Sequence, residues 1–508
     1  MSVSRTDRAL WAGLGLAVAI GFHGAASGQS LAPPVSFEPG AGGGAAPATA
    51  STPRGLVPRL LGELPLPPPS PAQRRLTVRL LAGGDLLAGE TAARMAGLAA
   101  LGAASEALAL AAGVPGAFSD AQVARHWVEV QLLRTPEALD CQEVARLAAG
   151  FGWPRLTEAC RAASHDGAAT PPPPTPASLT APDAADLALA QAAGLALPPE
   201  VLTLRSPLLL AAVARSEASD AELRLKAGER AAAAGTLSAT ELAALYAAIR
   251  FSPAALARPL SSSERGARAR ALVYQAALGE SQPAVRAELI HRGLDVLEPS
   301  QLAGAIGAVP LGLLETLPVD AATRWLAPAA VRGFFAAGRP EAAARWLAEP
   351  AAAAEAAVLA RQWPLAVLAD APPALTATLT GGPGFEGWLD AAVRGADAGR
   401  RARVAGVLTL LQAAGEPVAA EAWTRVADAG PGASAALPSP ALWQAFQSAA
   451  AGHRTGELVL AALAMLGEGG PTALSPLVLG GLVAGLREAG FAAEARALAR
   501  EAVAALVD

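Results

Sequence analysis

The side chains best suited to chemistry in this 508-residue sequence are few and far apart. Beyond the N-terminal apolar stretch the histidines are His126, His165, His291 and His453, each standing alone. His126 opens the run His126-Trp127-Val128-Glu129-Val130, where an inverted zinc-protease motif would need a second histidine at Val130. A buried histidine hydrogen-bonded to Gln122 or Glu129 is therefore expected, rather than a zinc ligand. No H-E-x-x-H motif and no Cys/His cluster occurs, so no metal site is expected. Gly382-Pro383-Gly384-Phe385-Glu386-Gly387 fits G-x-G-x-x-G, which holds a dinucleotide only between a parallel strand and a helix. Residues 372–381 do not read as a strand, and Glu386 would oppose a phosphate, so an interhelical loop is expected and no cofactor. A P-loop needs Gly-Lys, whereas the only lysine, Lys226, follows Leu225; no G-x-S-x-G elbow is present either. Glu288 and Asp295 read as a solvated helix face. No catalytic residue is assigned.

The two cysteines carry more information. Ser119 and Gln122 fit a capping box for a helix reaching about Arg134, and Thr135-Pro136 reads as the start of a second helix. That helix should stop at Gly150-Phe151-Gly152, and a third should begin near Pro154. Cys141 and Cys160 then lie almost equally far from the turn, on antiparallel neighbours. A Cys141–Cys160 disulfide closing this hairpin is expected, worth about 3 kcal/mol in an oxidising compartment. Two separately buried thiols are the alternative. A redox pair would need C-x-x-C spacing, which is missing.

The elements around these residues should be helical. Apolar residues make up 53% of the chain but aromatic ones only 4%, and sheets draw on aromatic and β-branched side chains. Arg5 and Arg8, the apolar run Ala9–Phe22 and the small residues Ala25-Ala26-Ser27 read as a secretory signal cleaved near Ser27. Fourteen apolar residues fall short of the roughly 20 a spanning helix needs. The expected location is periplasmic or secreted, and the alternative is an inner-membrane anchor formed by residues 9–22. Cleavage would remove Arg5, Asp7 and Arg8 and move the formal charge of −5 one unit further negative. A mildly acidic body with scattered arginines has no broad footprint for nucleic acid.

The reading divides the chain into a signal peptide (1–30), a Pro/Gly/Ala-rich disordered tether (31–70), a small helical domain (71–164), a Pro-rich linker (165–182) and a helical repeat domain (183–508). Within the last, Ser219-x-x-Glu222, Ser238-x-x-Glu241 and Ser261-x-x-Glu264 fit capping boxes, and Ser206-Pro207 and Ser252-Pro253 fit cap-plus-proline starts. Asp320-Ala-Ala-Thr-Arg-Trp325-Leu-Ala echoes Glu341-Ala-Ala-Ala-Arg-Trp346-Leu-Ala after 21 residues. Further tryptophans at 363, 388, 423 and 443 are expected to anchor helices among small alanines. Val123, Trp127, Val130 and Leu133, and likewise Phe491, Ala495, Leu498, Ala502 and Ala505, fit one-sided helical stripes. The fold class expected is all-α, with stacked helical hairpins forming an α-solenoid.

Ala337-Gly338-Arg339-Pro340-Glu341-Ala342, and Ala489-Gly490 through Leu498, resemble the tetratricopeptide-like α-superhelical repeats. The Ala-rich body is also similar to the superhelical part of exported lytic transglycosylases, without the Glu-Ser-x-Phe stretch their catalytic module uses. Export, repeated helix pairs and the missing catalytic motifs point to a non-catalytic exported scaffold or adaptor, whereas the superhelix resemblance implies a link to cell-wall polymer. The scaffold's partner would be an envelope protein, a peptide or a cell-wall glycan, with no nucleic acid and membrane contact only through an uncleaved signal. The alternative is an accessory or enzymatic factor acting on cell-wall polymer.

Overall fold

Proline opens helices throughout this chain, because its fixed φ suits the first helical position and its missing N–H is not needed there. Pro71–Ala82, Pro154–Ala163, Pro207–Arg215, Pro283–Asp295, Pro440–Ala451 and Pro476–Glu488 all begin this way. The computed structural model describes residues 56–83, 90–164, 173–348, 353–380, 384–428 and 437–507. Among them the fold is all-α: twenty-eight α-helices and eight short 3-10 turns, with no strand. The signal region with Ser27, the anchor candidate 9–22, residues 31–55 and His165 lie outside the described residues. Among the described residues no helix is long and apolar enough to cross a membrane.

Helix starts follow the sequence closely where serine precedes proline. Ser206 Oγ accepts from Leu209 N–H and Ser252 Oγ from Ala255 N–H. Ser238 and Glu241 form the complete reciprocal box. Elsewhere an aspartate takes the serine's place. Asp120, not Ser119, caps Ala121–Arg134, and Asp220, not Ser219, caps Ala221–Ala233. A carboxylate at this position adds favourable charge at the positive end of the helix dipole. Ser219 Oγ instead accepts the Leu197 N–H at 3.2 Å. Thr135-Pro136 gives only the 3-10 turn Pro136–Ala138; the next helix, Cys141–Phe151, is capped by Asp140. Ser261 starts nothing: the following helix is Gly266–Gly279, with no side-chain cap.

Packing redraws the expected boundaries. Residues 56–70 are not tether. Leu56–Gly62 is a helix, and Leu60 and Leu64 are buried in the main core, with Val57 and Leu61 packed beside them. Leucines four apart make a helical stripe that the surrounding prolines obscure. Nor do residues 71–164 have a core of their own. Leu76, Leu80, Met95 and Leu98 share a core with Phe334, Leu408, Leu460 and Leu498, whereas Val128, Leu147 and Leu156 share one with Leu189. A third core gathers Leu187, Leu210, Leu225 and Tyr246. The helix Ala121–Arg134 serves two cores, Val123 and Val130 facing one and Ala124, Val128 and Leu132 the other, so its burial is not one-sided. In the expected linker, Leu179 is buried and Ser178–Thr180 forms a 3-10 turn.

The early described helix Pro71–Ala82 packs onto the last one, Ala492–Leu506. Glu501, 2% exposed, accepts the Ala72 N–H at 2.7 Å. Arg79 meets Glu494 at 2.5 Å and lies over the Phe491 ring. The contacts advance seven residues along Pro71–Ala82 and retreat seven along Ala492–Leu506, so the two helices run antiparallel. Gln73, fully buried, donates to the Gly467 carbonyl at 3.0 Å. In a linear stack each unit touches only its neighbours; here the last helix also touches the first part of the fold. Ala492–Leu506 is accordingly buried on most sides, by Ala497, Ala499, Val503 and Ala504 as well as by the anticipated Ala495, Leu498 and Ala502. Ala505 is exposed.

Candidate functional site

The most chemically distinctive place in the described fold is a pocket with a cationic rim and an apolar wall. Its main element is the helix Ala398–Ala414, which begins at Asp397, whose carboxylate accepts the Arg400 N–H at 2.7 Å. Arg400, Arg403, Val404 and Val407 follow at helical spacing, so all four lie on one face, and all four line the pocket. Trp388 and Ala392, four apart on the helix Gly384–Val393, also line it. Leu506 and Val507, at the end of the last helix, complete the apolar side. Arg361 enters from the turn between Ala353–Ala360 and Trp363–Leu368. The pocket holds about 540 Å³ of empty space, its open mouth included.

Trp388 is held rigidly. It is 2% exposed and stacks on Trp363 at 5.9 Å, with Phe385 5.8 Å from both rings. Among the described residues, the arginines above it, Arg361, Arg400 and Arg403, make no direct ion pair, although Asp397 acts on Arg400 through space and one Arg400 Nη donates to the Ala391 carbonyl at 3.4 Å. The Arg361 Nε is buried without a hydrogen-bond partner. The neighbouring acids are engaged elsewhere: Asp390 pairs with Arg425 at 2.5 Å, Glu386 reaches Arg425 at 3.5 Å, and Asp428 pairs with Arg401. Burial lowers the pKa of Arg400, and the adjacent Arg361 and Arg403 charges lower it further, against the opposing pull of Asp397. The lining thus supplies hydrogen-bond donors and positive charge beside aliphatic and aromatic surface. Such a lining suits an anion in charge and hydrogen-bonding capacity, and the lining residues include no nucleophile or general base.

A second polar cluster is buried. Glu229 takes a hydrogen bond from Tyr246 Oη at 2.7 Å and both Arg270 donors, at 2.8 and 2.5 Å. Burial raises the Tyr246 pKa, and the Glu229 charge raises it further; Glu229 likewise raises Arg270. All three partners satisfy one another, so the cluster reads as an internal tie between the helices Ala221–Ala233, Ala239–Ala248 and Gly266–Gly279.

The residues singled out in the sequence fall elsewhere. Cys141 and Cys160 are joined by a disulfide between Cys141–Phe151 and Pro154–Ala163, with Cα atoms 5.7 Å apart. His126 is not buried: its side chain is 28% exposed, with Nδ1 3.4 Å from Glu129, which Arg125 also holds at 2.7 Å. His291 sits 3.4 Å from Asp295 and 5.3 Å from the Trp325 ring, and His453 is exposed. Glu288 and Asp295 are exposed. Among the described residues no group of three or more His, Cys, Asp or Glu could hold a metal ion. Gly384 begins a helix and is preceded by the helix Pro373–Thr380, with no strand before it; residues 381–383 lie outside the described residues. The echoed Arg-Trp-Leu triplets both form 3-10 turns, but their tryptophans differ: Trp346 is 2% exposed and Trp325 39%.

Sequence reasoning missed the arginine pocket. The signal on one helix was present, as Arg400-x-x-Arg403-Val404-x-x-Val407. Arg361 and Leu506 join it only through tertiary packing. Family models, curated proteins and solved structures were all compared with this chain, and none matches it.

Proposed function

We propose that this protein is an exported, non-catalytic helical scaffold that engages an envelope partner through the arginine pocket. The observation that carries the reading is the trio Arg361, Arg400 and Arg403 around an open, apolar-walled pocket with no carboxylate paired to them. Arg361 and Arg403 repel the Arg400 charge, an effect Asp397 opposes, and a partner's anion would relieve that repulsion. Export is supported by the Arg5/Arg8, Ala9–Phe22 and Ala25-Ala26-Ser27 pattern, and by cysteines placed for a disulfide, which suits an oxidising compartment. The tetratricopeptide-like reading belongs with this proposal, since stacked hairpins present broad surfaces to partners.

Fractionation of the native host with N-terminal sequencing tests the location. A soluble mature chain starting near Ser27 is expected; an intact N-terminus in the membrane fraction overturns the soluble form. Crosslinking of intact cells tests the binding role. One envelope partner should co-purify reproducibly with the parent and be lost with Arg361→Gln/Arg400→Gln/Arg403→Gln.

A further inference from the structure

The reading of the pocket as a binding site can be taken one step further, to the chemistry of what it holds. We propose that it takes an oxyanion carried on a short apolar group, the chemistry shared by an aliphatic carboxylate and an alkyl phosphate. Two halves of the pocket carry this inference, which rests on the pocket being a binding site at all.

The rim is cationic. Each guanidinium presents several N–H donors in a rigid fork that matches the paired oxygens of a carboxylate or phosphate. Arg400 and Arg403 share one helix face and Arg361 comes from a separate turn, so donors reach the pocket from two elements. The Arg361 Nε is buried and unpartnered, and the nearby acids Glu386, Asp390 and Asp428 are held by Arg425 and Arg401. The wall is apolar. Val404, Val407, Leu506 and Val507 stand with Trp388, itself fixed by stacking on Trp363. A bare inorganic anion would satisfy the rim and leave that wall wet. An apolar group on the anion would cover the wall, and each methylene buried adds to affinity.

The test is calorimetric titration of the purified full chain at constant ionic strength with hexanoate, acetate, hexyl phosphate, inorganic phosphate and hexanol. One or both hexyl oxyanions should bind, and each that binds should do so at least about tenfold more tightly than acetate or inorganic phosphate respectively, and than hexanol. The tighter of the two identifies the head group. Arg361→Gln and Arg400→Gln should each weaken that binding about tenfold or more, with far-UV circular dichroism and melting unchanged. Intrinsic fluorescence should change on binding, and Trp388→Phe should remove most of that change.

Equal affinity for hexanol, equal affinity for the bare anions, no binding of either hexyl oxyanion, or full binding by a folded Arg361→Gln/Arg400→Gln variant would each overturn the inference. Its failure is separable from that of the scaffold reading. If the crosslinked partner is lost in the arginine variants while no hexyl oxyanion binds, the scaffold stands and this ligand class falls. If the variants keep the partner, the scaffold's use of this pocket falls whatever the titration gives.

Discussion

Glu501 shows how a single side chain can hold distant parts of this fold together. It is a buried group on the last helix that accepts the Ala72 N–H from the helix Pro71–Ala82. Glu501→Ala would leave that donor unsatisfied and should cost about 1–3 kcal/mol in urea unfolding. Burial raises the Glu501 pKa, opposed by Ser70, the Ala72 N–H, Arg75 and Arg500. The folded chain therefore holds this proton more tightly than the unfolded chain does. The Glu501 contribution is greatest below the ordinary carboxylate range and declines as pH rises through it. Glu241 runs the other way. Burial alone would raise its pKa, but Ser238 and Arg215 bring it below the ordinary value. Its contribution is present above the ordinary range and is lost as pH falls toward the folded value. Urea midpoints measured from pH 3 to 8 should lose the first component in Glu501→Gln and the second in Glu241→Gln; unchanged profiles would contradict these assignments. The Ser238–Glu241 box was legible in the sequence because a cap is local. Glu501 was not, because its partner lies 429 positions away.

At the scale of elements, the disulfide hairpin and the capped helices make separable predictions. Reduction should change a non-reducing peptide map, merging the Cys141 and Cys160 fragments only in the oxidised sample; an unchanged map contradicts the bridge. Cys141→Ser/Cys160→Ser should lower stability by about 3 kcal/mol, read as a lower urea midpoint with a slope no shallower than the parent's, since the uncrosslinked unfolded chain is less compact. Ser238→Ala should cost about 1 kcal/mol on the same assay. The hairpin was readable because proline, glycine and cysteine punctuate it within a short span. The proline-rich stretch before Pro71 misled for a related reason. Composition spoke for a tether, while Leu60 and Leu64 were already spaced for burial. Leu60→Ala should therefore destabilise the fold by about 2–5 kcal/mol, whereas the same change in a free tether would cost nothing.

At the scale of the molecule, helix content followed from composition, whereas closure of the early helices onto Ala492–Leu506 did not. Periodicity reports which face of a helix is buried, but not against which distant helix. The arginine pocket shows the same division: one helix carries a readable Arg-Val face, and packing supplies Arg361, Trp388 and Leu506. Zymography on purified sacculi separates the scaffold reading from a cell-wall hydrolase, with no release of soluble fragments expected. The central claim is that the pocket arginines, which make no ion pair among the described residues, are a docking point, and crosslinking in intact native-host cells tests it most directly. Parent protein and Arg361→Gln/Arg400→Gln/Arg403→Gln are compared at matched levels and with matched melting curves. Reproducible, near-stoichiometric capture of one envelope partner by the parent, and its loss from the folded variant, is the predicted result. Equal capture by both proteins would contradict the claim.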